Sequence, residues 1–131
     1  MRYLIDTSVW LWSVAHVNRL NAATLEVLSD PRQEIYFSAA SAWEIAIKAA
    51  LGKLHLPGPP ATVVPRETER LGLRPLPVDS RHALAVYDLP VGRGDPFDRL
   101  LVAQAQIEGL VLITSDREIR KYSPNILWAG R

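Results

Sequence analysis

Apolar residues recur along this chain in two rhythms. Short unbroken runs, Tyr3-Leu4-Ile5, Ile35-Tyr36-Phe37 and Leu110-Val111-Leu112-Ile113, alternate with longer stretches in which apolar positions return every three or four residues. The runs predict strands, and the last of them reads as a central strand buried on both faces. The longer stretches predict helices. Val9 to Ala15 is apolar nearly all round, with Trp10 and Trp12 on different faces, so part of that helix is expected to pack a partner. Asn21 to Leu28 is amphipathic and is closed by Asp30-Pro31. Ala39 to Leu51 is the clearest helix, with Trp43, Ile47 and Leu51 at helical spacing and Gly52 as its stop.

The second half continues the alternation. Leu56-Pro57-Gly58-Pro59-Pro60 predicts a long loop, and Thr62 to Leu71 a weaker helix. Arg74 to Val78 is extended and at best a short edge strand, because its prolines remove ladder donors. Asp79 caps a helix through Tyr87. Asp95-Pro96 opens another in the favoured order, cap and then Pro at the first position, running to about Glu108 before Gly109. Ser115 to Tyr122 reads as a short helix and Asn125 to Trp128 as a last strand. Strands alternating with helices predict an α/β fold with a mostly parallel sheet.

Composition narrows the class. At 131 residues, 48% hydrophobic and 22% charged, the chain is expected to form one domain over residues 1–131 with a substantial core. It has no cysteine, which excludes thiolate metal sites, thiol catalysis and a disulfide scaffold. The formal charge of +1 gives no global field from which nucleic-acid binding could be argued. Asp6 interrupts the first apolar run too early for a signal peptide, and no stretch approaches the roughly 20 apolar residues of a membrane span. The expected address is the cytoplasm, with no membrane partner.

The acidic residues carry the chemistry. Asp6 falls at the carboxyl end of the first strand and Asp116 just past the end of the most buried one. Glu44 and Asp98 fall in the first turns of predicted helices. In open parallel sheets, ligands bind at the carboxyl ends of strands near a reversal of strand order, so both strand-end acids point to that edge. Each has an ordinary structural explanation taken singly. Ser41 to Glu44 and Ser115 to Glu118 fit capping boxes, Asp95 fits an N-cap, and Asp6 could cap the first helix. Taken together, converging carboxylates repel unless a cation sits among them. An all-oxygen set without His or Cys suits Mg²⁺ or Mn²⁺ rather than zinc, and such a site suits phosphodiester hydrolysis.

Four segments carry a resemblance. Tyr-Leu-Ile-Asp6-Thr-Ser, Ser38-Ala-Ala-Ser-Ala-Trp-Glu44-Ile-Ala-Ile-Lys48, Asp95-Pro-Phe-Asp98-Arg-Leu-Leu-Val-Ala-Gln-Ala105 and Leu-Ile-Thr-Ser-Asp116 occur in the order typical of PIN domains. They resemble in particular the VapC toxins of bacterial toxin–antitoxin pairs. The resemblance implies a PIN-like five-stranded, mostly parallel sheet flanked by helices on both sides, and a metal-dependent endoribonuclease. It also implies a homodimer, RNA as substrate and a cognate VapB-like antitoxin as partner. Carried over by motif, Asp6, Glu44, Asp98 and Asp116 would hold Mg²⁺ or Mn²⁺ and serve as the catalytic acids, with Asp95 accessory. Close relatives often carry His at the position that is Arg93 here, between Gly92 and Gly94.

Supporting roles are also expected. Thr7, Ser8, Thr114 and Ser115 flank the strand-end acids and could orient them, or could simply cap helices. Lys48 follows Glu44 in the favourable order for a helix ion pair. Arg93, Arg99 and Arg117 are candidate substrate contacts, although Arg99 reads better as the structural partner of an acid. The tail from Arg117 adds a modest basic rim. His16, His55 and His82 read as surface or packing residues, and Trp10, Trp12 and Trp43 as core rather than base-stacking platforms. Two other classes fit part of the pattern. One is a non-catalytic module that binds RNA or protein. The other, ranked lower, is a Mg²⁺-binding receiver-like signalling domain with Asp79 as acceptor.

Overall fold

A computed structural model of the chain describes residues 1–90, 95–122 and 125–131. The elements run β1 (Arg2–Ile5), α1 (Thr7–Ala15), α2 (Ala22–Ser29), β2 (Glu34–Ser38), α3 (Ala39–Ala50), α4 (Pro60–Arg70), β3 (Arg74–Leu76), α5 (Ser80–Ala85), α6 (Pro96–Glu108), β4 (Val111–Thr114), α7 (Arg117–Tyr122) and β5 (Ile126–Trp128), with 3₁₀ turns at Val17–Arg19 and Val86–Asp88. The strands form one five-stranded sheet in the order β3-β2-β1-β4-β5, and every pairing in it is parallel.

Period-two alternation distributes the core. Tyr3 and Ile5 of β1 and Ile113 of β4 face a cluster with Trp10, Ile45 and Val64, so α1, α3 and α4 cover that side. Leu4 and Leu112, one residue out of step, face Leu101, Val102 and Ile119 from α6 and α7. The unbroken apolar run of β4 is thus explained by burial on both faces. Gly109 adopts a left-handed φ of 67° at the end of α6 and turns the chain directly into β4.

The topology also locates a site. The chain steps outward from β1 through β2 to β3, then returns to lay β4 on the other flank of β1. The reversal therefore lies between β1 and β4, where a crevice forms at the carboxyl ends of the strands. A receiver-like domain follows the order 2-1-3-4-5. With β1 flanked by β2 and β4, that alternative is excluded.

Some local expectations are corrected. Helix α4 begins at Pro60 rather than Thr62, because Pro is tolerated at the first helical position, where its missing N–H is not needed. The expected box from Ser41 to Glu44 does not form. Ser38 caps α3 by accepting from the Ala40 amide at 3.0 Å, which leaves Glu44 in the second turn. Helix α7 starts at Arg117, and Asp116 rather than Ser115 accepts from the Glu118 amide, at 2.8 Å. The apolar α1 is covered only in part within the chain, which keeps a half-buried face for the expected partner. Val9 and Trp10 are fully buried, and Leu11, Trp12 and Val14 pack half-buried against the same core, with Arg19 over the Trp12 ring at 5.6 Å.

A buried polar link fixes the two motif helices to each other. The Ser38 hydroxyl donates to Gln104 Oε1 at 2.5 Å, and Gln104 Nε2 donates to the Pro77 carbonyl at 3.1 Å. Gln104 is completely buried. Gln104→Ala should therefore leave a buried hydroxyl and carbonyl short of partners and open a void, costing about 2–4 kcal/mol in urea denaturation. Gln104→Met, which restores volume but not the bonds, should recover only part of the loss.

Candidate functional site

Asp6 is the best-defined member of the acid set. It occupies the N-cap position of α1, yet its carboxylate makes no capping bond. The ordinary capping explanation therefore fails for it. Its Oδ2 instead accepts from Thr114 Oγ1 at 2.8 Å and from Ser8 Oγ at 3.2 Å. Thr114 in turn accepts from the Asp116 amide at 3.1 Å, so one hydroxyl couples the acid after β1 to the turn after β4. The residue is 2% exposed. Burial pushes the carboxyl up to about 6, against the two hydroxyl donors, with smaller upward contributions from Glu44 and Asp116.

Helix α3 brings Glu44 to the same place. Thr7 Oγ1, in the first turn of α1, donates to Ser41 Oγ at 2.8 Å, which docks the first turn of α3 beside Asp6. Glu44 Oε2 accepts from Lys48 Nζ at 2.5 Å, the predicted i,i+4 ion pair. Its other oxygen, Oε1, is buried without a hydrogen-bond partner among the described residues. A buried carboxylate oxygen left without a donor carries a desolvation cost that an added cation would offset.

Asp98 lies in the first turn of α6, one turn past the N-cap Asp95, which accepts from the Phe97 amide at 2.7 Å. Its carboxyl is pushed far above the ordinary carboxylate range. Burial is the largest cause, followed by the charges of Asp6, Asp95, Asp116 and Glu44. Asp98 thus feels every other acid of the proposed set, and four elements distant in sequence converge on one negative centre. Lys48 is the nearby counter-charge, held protonated first by Glu44 and further by Asp95 and Asp98.

Among the described residues, no group of three or more His, Cys, Asp or Glu side chains is arranged to hold a metal ion. The acids share one field without forming a closed ligand cage. Their chemistry nonetheless fits a hard divalent cation, since the donors are all oxygen, one is orphaned and the set repels itself.

The supporting residues divide. Thr7 and Thr114 bond within the site. Ser115 is half-buried beside them without a hydrogen bond among the described residues. Arg99 does not pair with an acid as expected. It donates to the Pro90 carbonyl at 2.8 Å and, more weakly, to those of Val86 and Leu89, so it ties α6 to the segment 86–90. Arg117 is exposed on α7. The basic rim is partly absorbed, with Arg120 stacked over the Trp128 ring at 5.0 Å and Lys121 bonded to Glu118. Arg93 and its flanking glycines lie outside the described residues. His82 is one of the packing residues, fully buried with its Nδ1 accepting from the Asp79 amide at 3.0 Å, whereas Trp43 is exposed rather than core.

Comparison with known proteins finds relatives in sequence and in fold. Over a stretch of 59 residues, 45% of this chain, the sequence is 51% identical to "Ribonuclease VapC16" of Mycobacterium tuberculosis, and the match spans 42% of that protein's length. The fold is similar to that in the crystal structure of VapBC2 from Rickettsia felis bound to a DNA fragment, with a TM-score of 0.69 at 17% identity over 97% of this chain and 96% of that one. It is also similar to that in DNA-bound VapBC from Salmonella typhimurium, with a TM-score of 0.66 at 22% identity over 96% and 95%. At these identities the structural likeness is one of fold. The model of one domain family matches residues 3–124, which takes in the switch-point crevice and all four acids, and this chain is therefore a member of the PIN-domain family.

Proposed function

We propose that this chain is a metal-dependent endoribonuclease that hydrolyses RNA phosphodiester bonds as the toxin of a toxin–antitoxin pair. The observation that carries the reading is the self-repelling acid centre at the sheet's switch point, with Asp98 raised by burial and by four neighbouring carboxylates. A solely structural site gains nothing from that arrangement, whereas a site built for a cation and a phosphate does. Supporting it are the name of the mycobacterial relative and the toxin–antitoxin complexes among the structural neighbours.

Asp6, Glu44, Asp98 and Asp116 would hold Mg²⁺ or Mn²⁺, which when bound lowers the pKa of a water and neutralises phosphate charge. The chain's own residues prepare the rest. Thr114 and Ser8 fix the orientation of Asp6. The buried pair of Thr7 and Ser41 sets the distance between the Asp6 turn and α3. Lys48 neutralises Glu44 and sits within the field of Asp95 and Asp98, where it would contact a phosphate oxygen of the substrate. Arg117 lies exposed on the helix that Asp116 caps, in position to contact the RNA backbone.

No helix among the described residues is long and apolar enough to cross a membrane, consistent with action in the cytoplasm. The partners proposed are RNA, a second copy of the chain and a small VapB-like antitoxin. Structured RNA incubated with the purified chain should be cut internally with Mn²⁺ or Mg²⁺, and chelator should abolish the cutting, with recovery on metal add-back. Cleavage that ignores chelator, or none under any metal, would remove the enzymatic reading and leave a non-catalytic binding module.

A further inference from the structure

Two aromatic residues that the acid chemistry does not use stand next to its acids in the chain. Trp43 immediately precedes Glu44 and Phe97 immediately precedes Asp98, so each motif helix carries one aromatic residue next to its acid. The two rings meet in a T-shaped contact, with centroids 5.2 Å apart and planes at 73°. Phe97 is half-buried, whereas Trp43 is 60% exposed. An indole this open costs hydration, and Phe97 holds it against α6 rather than leaving it free to fold onto the core.

We propose that Trp43, steadied by Phe97, is a stacking platform for a base of single-stranded RNA next to the phosphate held at the acid centre. The proposal rests on the nuclease reading and adds how the substrate is gripped. Every base has a π-face, so stacking tolerates any sequence and complements a centre that contacts only phosphate. Placing the platform on the residues adjacent to Glu44 and Asp98 ties the position of the base to the position of the scissile bond. Ile47 and Leu51 continue the stripe along α3 but lead away from the acids, and Phe97 is not part of it. The Trp43–Phe97 pair therefore joins the two helices that carry Glu44 and Asp98, rather than extending the α3 stripe.

The test uses the full chain carrying Asp98→Asn, so that RNA is bound without being cut. Fluorescence anisotropy follows a labelled single-stranded oligoribonucleotide of mixed sequence, and a series in which each nucleotide in turn is abasic. Adding Trp43→Ala should weaken binding about tenfold, and Trp43→Phe should restore most of it. One abasic position should weaken binding to the Trp43 protein and have no effect in Trp43→Ala. Equal abasic profiles in the two proteins, or no binding by either, overturn the proposal. So does a change from dimer to monomer in sedimentation of Trp43→Ala with the abasic profile unaltered, since Trp43 would then serve a contact between copies. Cleavage by the unmutated chain is measured in parallel. A Trp43-dependent abasic response without any cleavage would sink the nuclease reading and leave the platform standing.

Discussion

Asp98→Asn is expected to lower metal-dependent RNA cleavage by about a thousandfold or more, corresponding to roughly 4 kcal/mol of transition-state stabilisation. The substitution keeps the shape of the side chain and removes the ionisable group on which burial and four neighbouring carboxylates bear. Asp98 makes no hydrogen bond that the change would break among the described residues, so the fold has little to lose. Asp95→Asn provides the contrast. Asn still caps α6 through the Phe97 amide, and an accessory acid outside the proposed quartet should lose less than about tenfold, about 1.4 kcal/mol. Single-turnover cleavage of an end-labelled RNA measures both. If Asp98→Asn cuts at the wild-type rate, the acid centre is not where catalysis happens.

Much of this was legible in sequence because it depends on local rules. The strands announced themselves as apolar runs, and the double burial of β4 followed from its lack of polar alternation. Asp95-Pro96 and Gly109 marked both ends of α6 through capping and left-handed backbone geometry. The acids were legible as positions but not as environments. Nothing local shows that Asp6 declines to cap its own helix and takes Thr114 from β4 instead, because that choice is made across 108 residues. Arg99 was misassigned for the same reason: its partners are carbonyls of a loop 9 to 13 residues earlier. Trp43 looked like core by residue type. Its exposure follows from the rotation of α3, which is fixed by Ser41 and Ile45 packing inward, and a one-dimensional stripe does not say which side the sheet takes.

Without metal, stability should fall as pH rises from about 4 to 7, the opposite of ordinary acid denaturation. The sign follows from Asp6. Its folded pKa, about 6, lies above the ordinary value of 3.8. Between those values the unfolded chain has already released the proton that the folded chain retains, so each step up in pH favours unfolding. The full difference amounts to about 3 kcal/mol for Asp6, and Asp98, raised in the same direction, extends the decline to higher pH. Asp30 and Asp79 act oppositely, because salt bridges and amide donors lower them. Their contribution is complete above about 4 and is lost only in stronger acid, so it does not mask the slope. Urea midpoints of the chelated protein across this range should show the decline, and Asp98→Asn should flatten its upper part and be the more stable protein at pH 7 or above. Saturating Mn²⁺ should stabilise the wild type by mass action and remove most of the slope, because a cation among the carboxylates offsets the repulsion that the protons otherwise relieve. A chelated wild type that grows more stable over this interval would mean that these acids are solvated separately, and no shared cation site would remain to be filled.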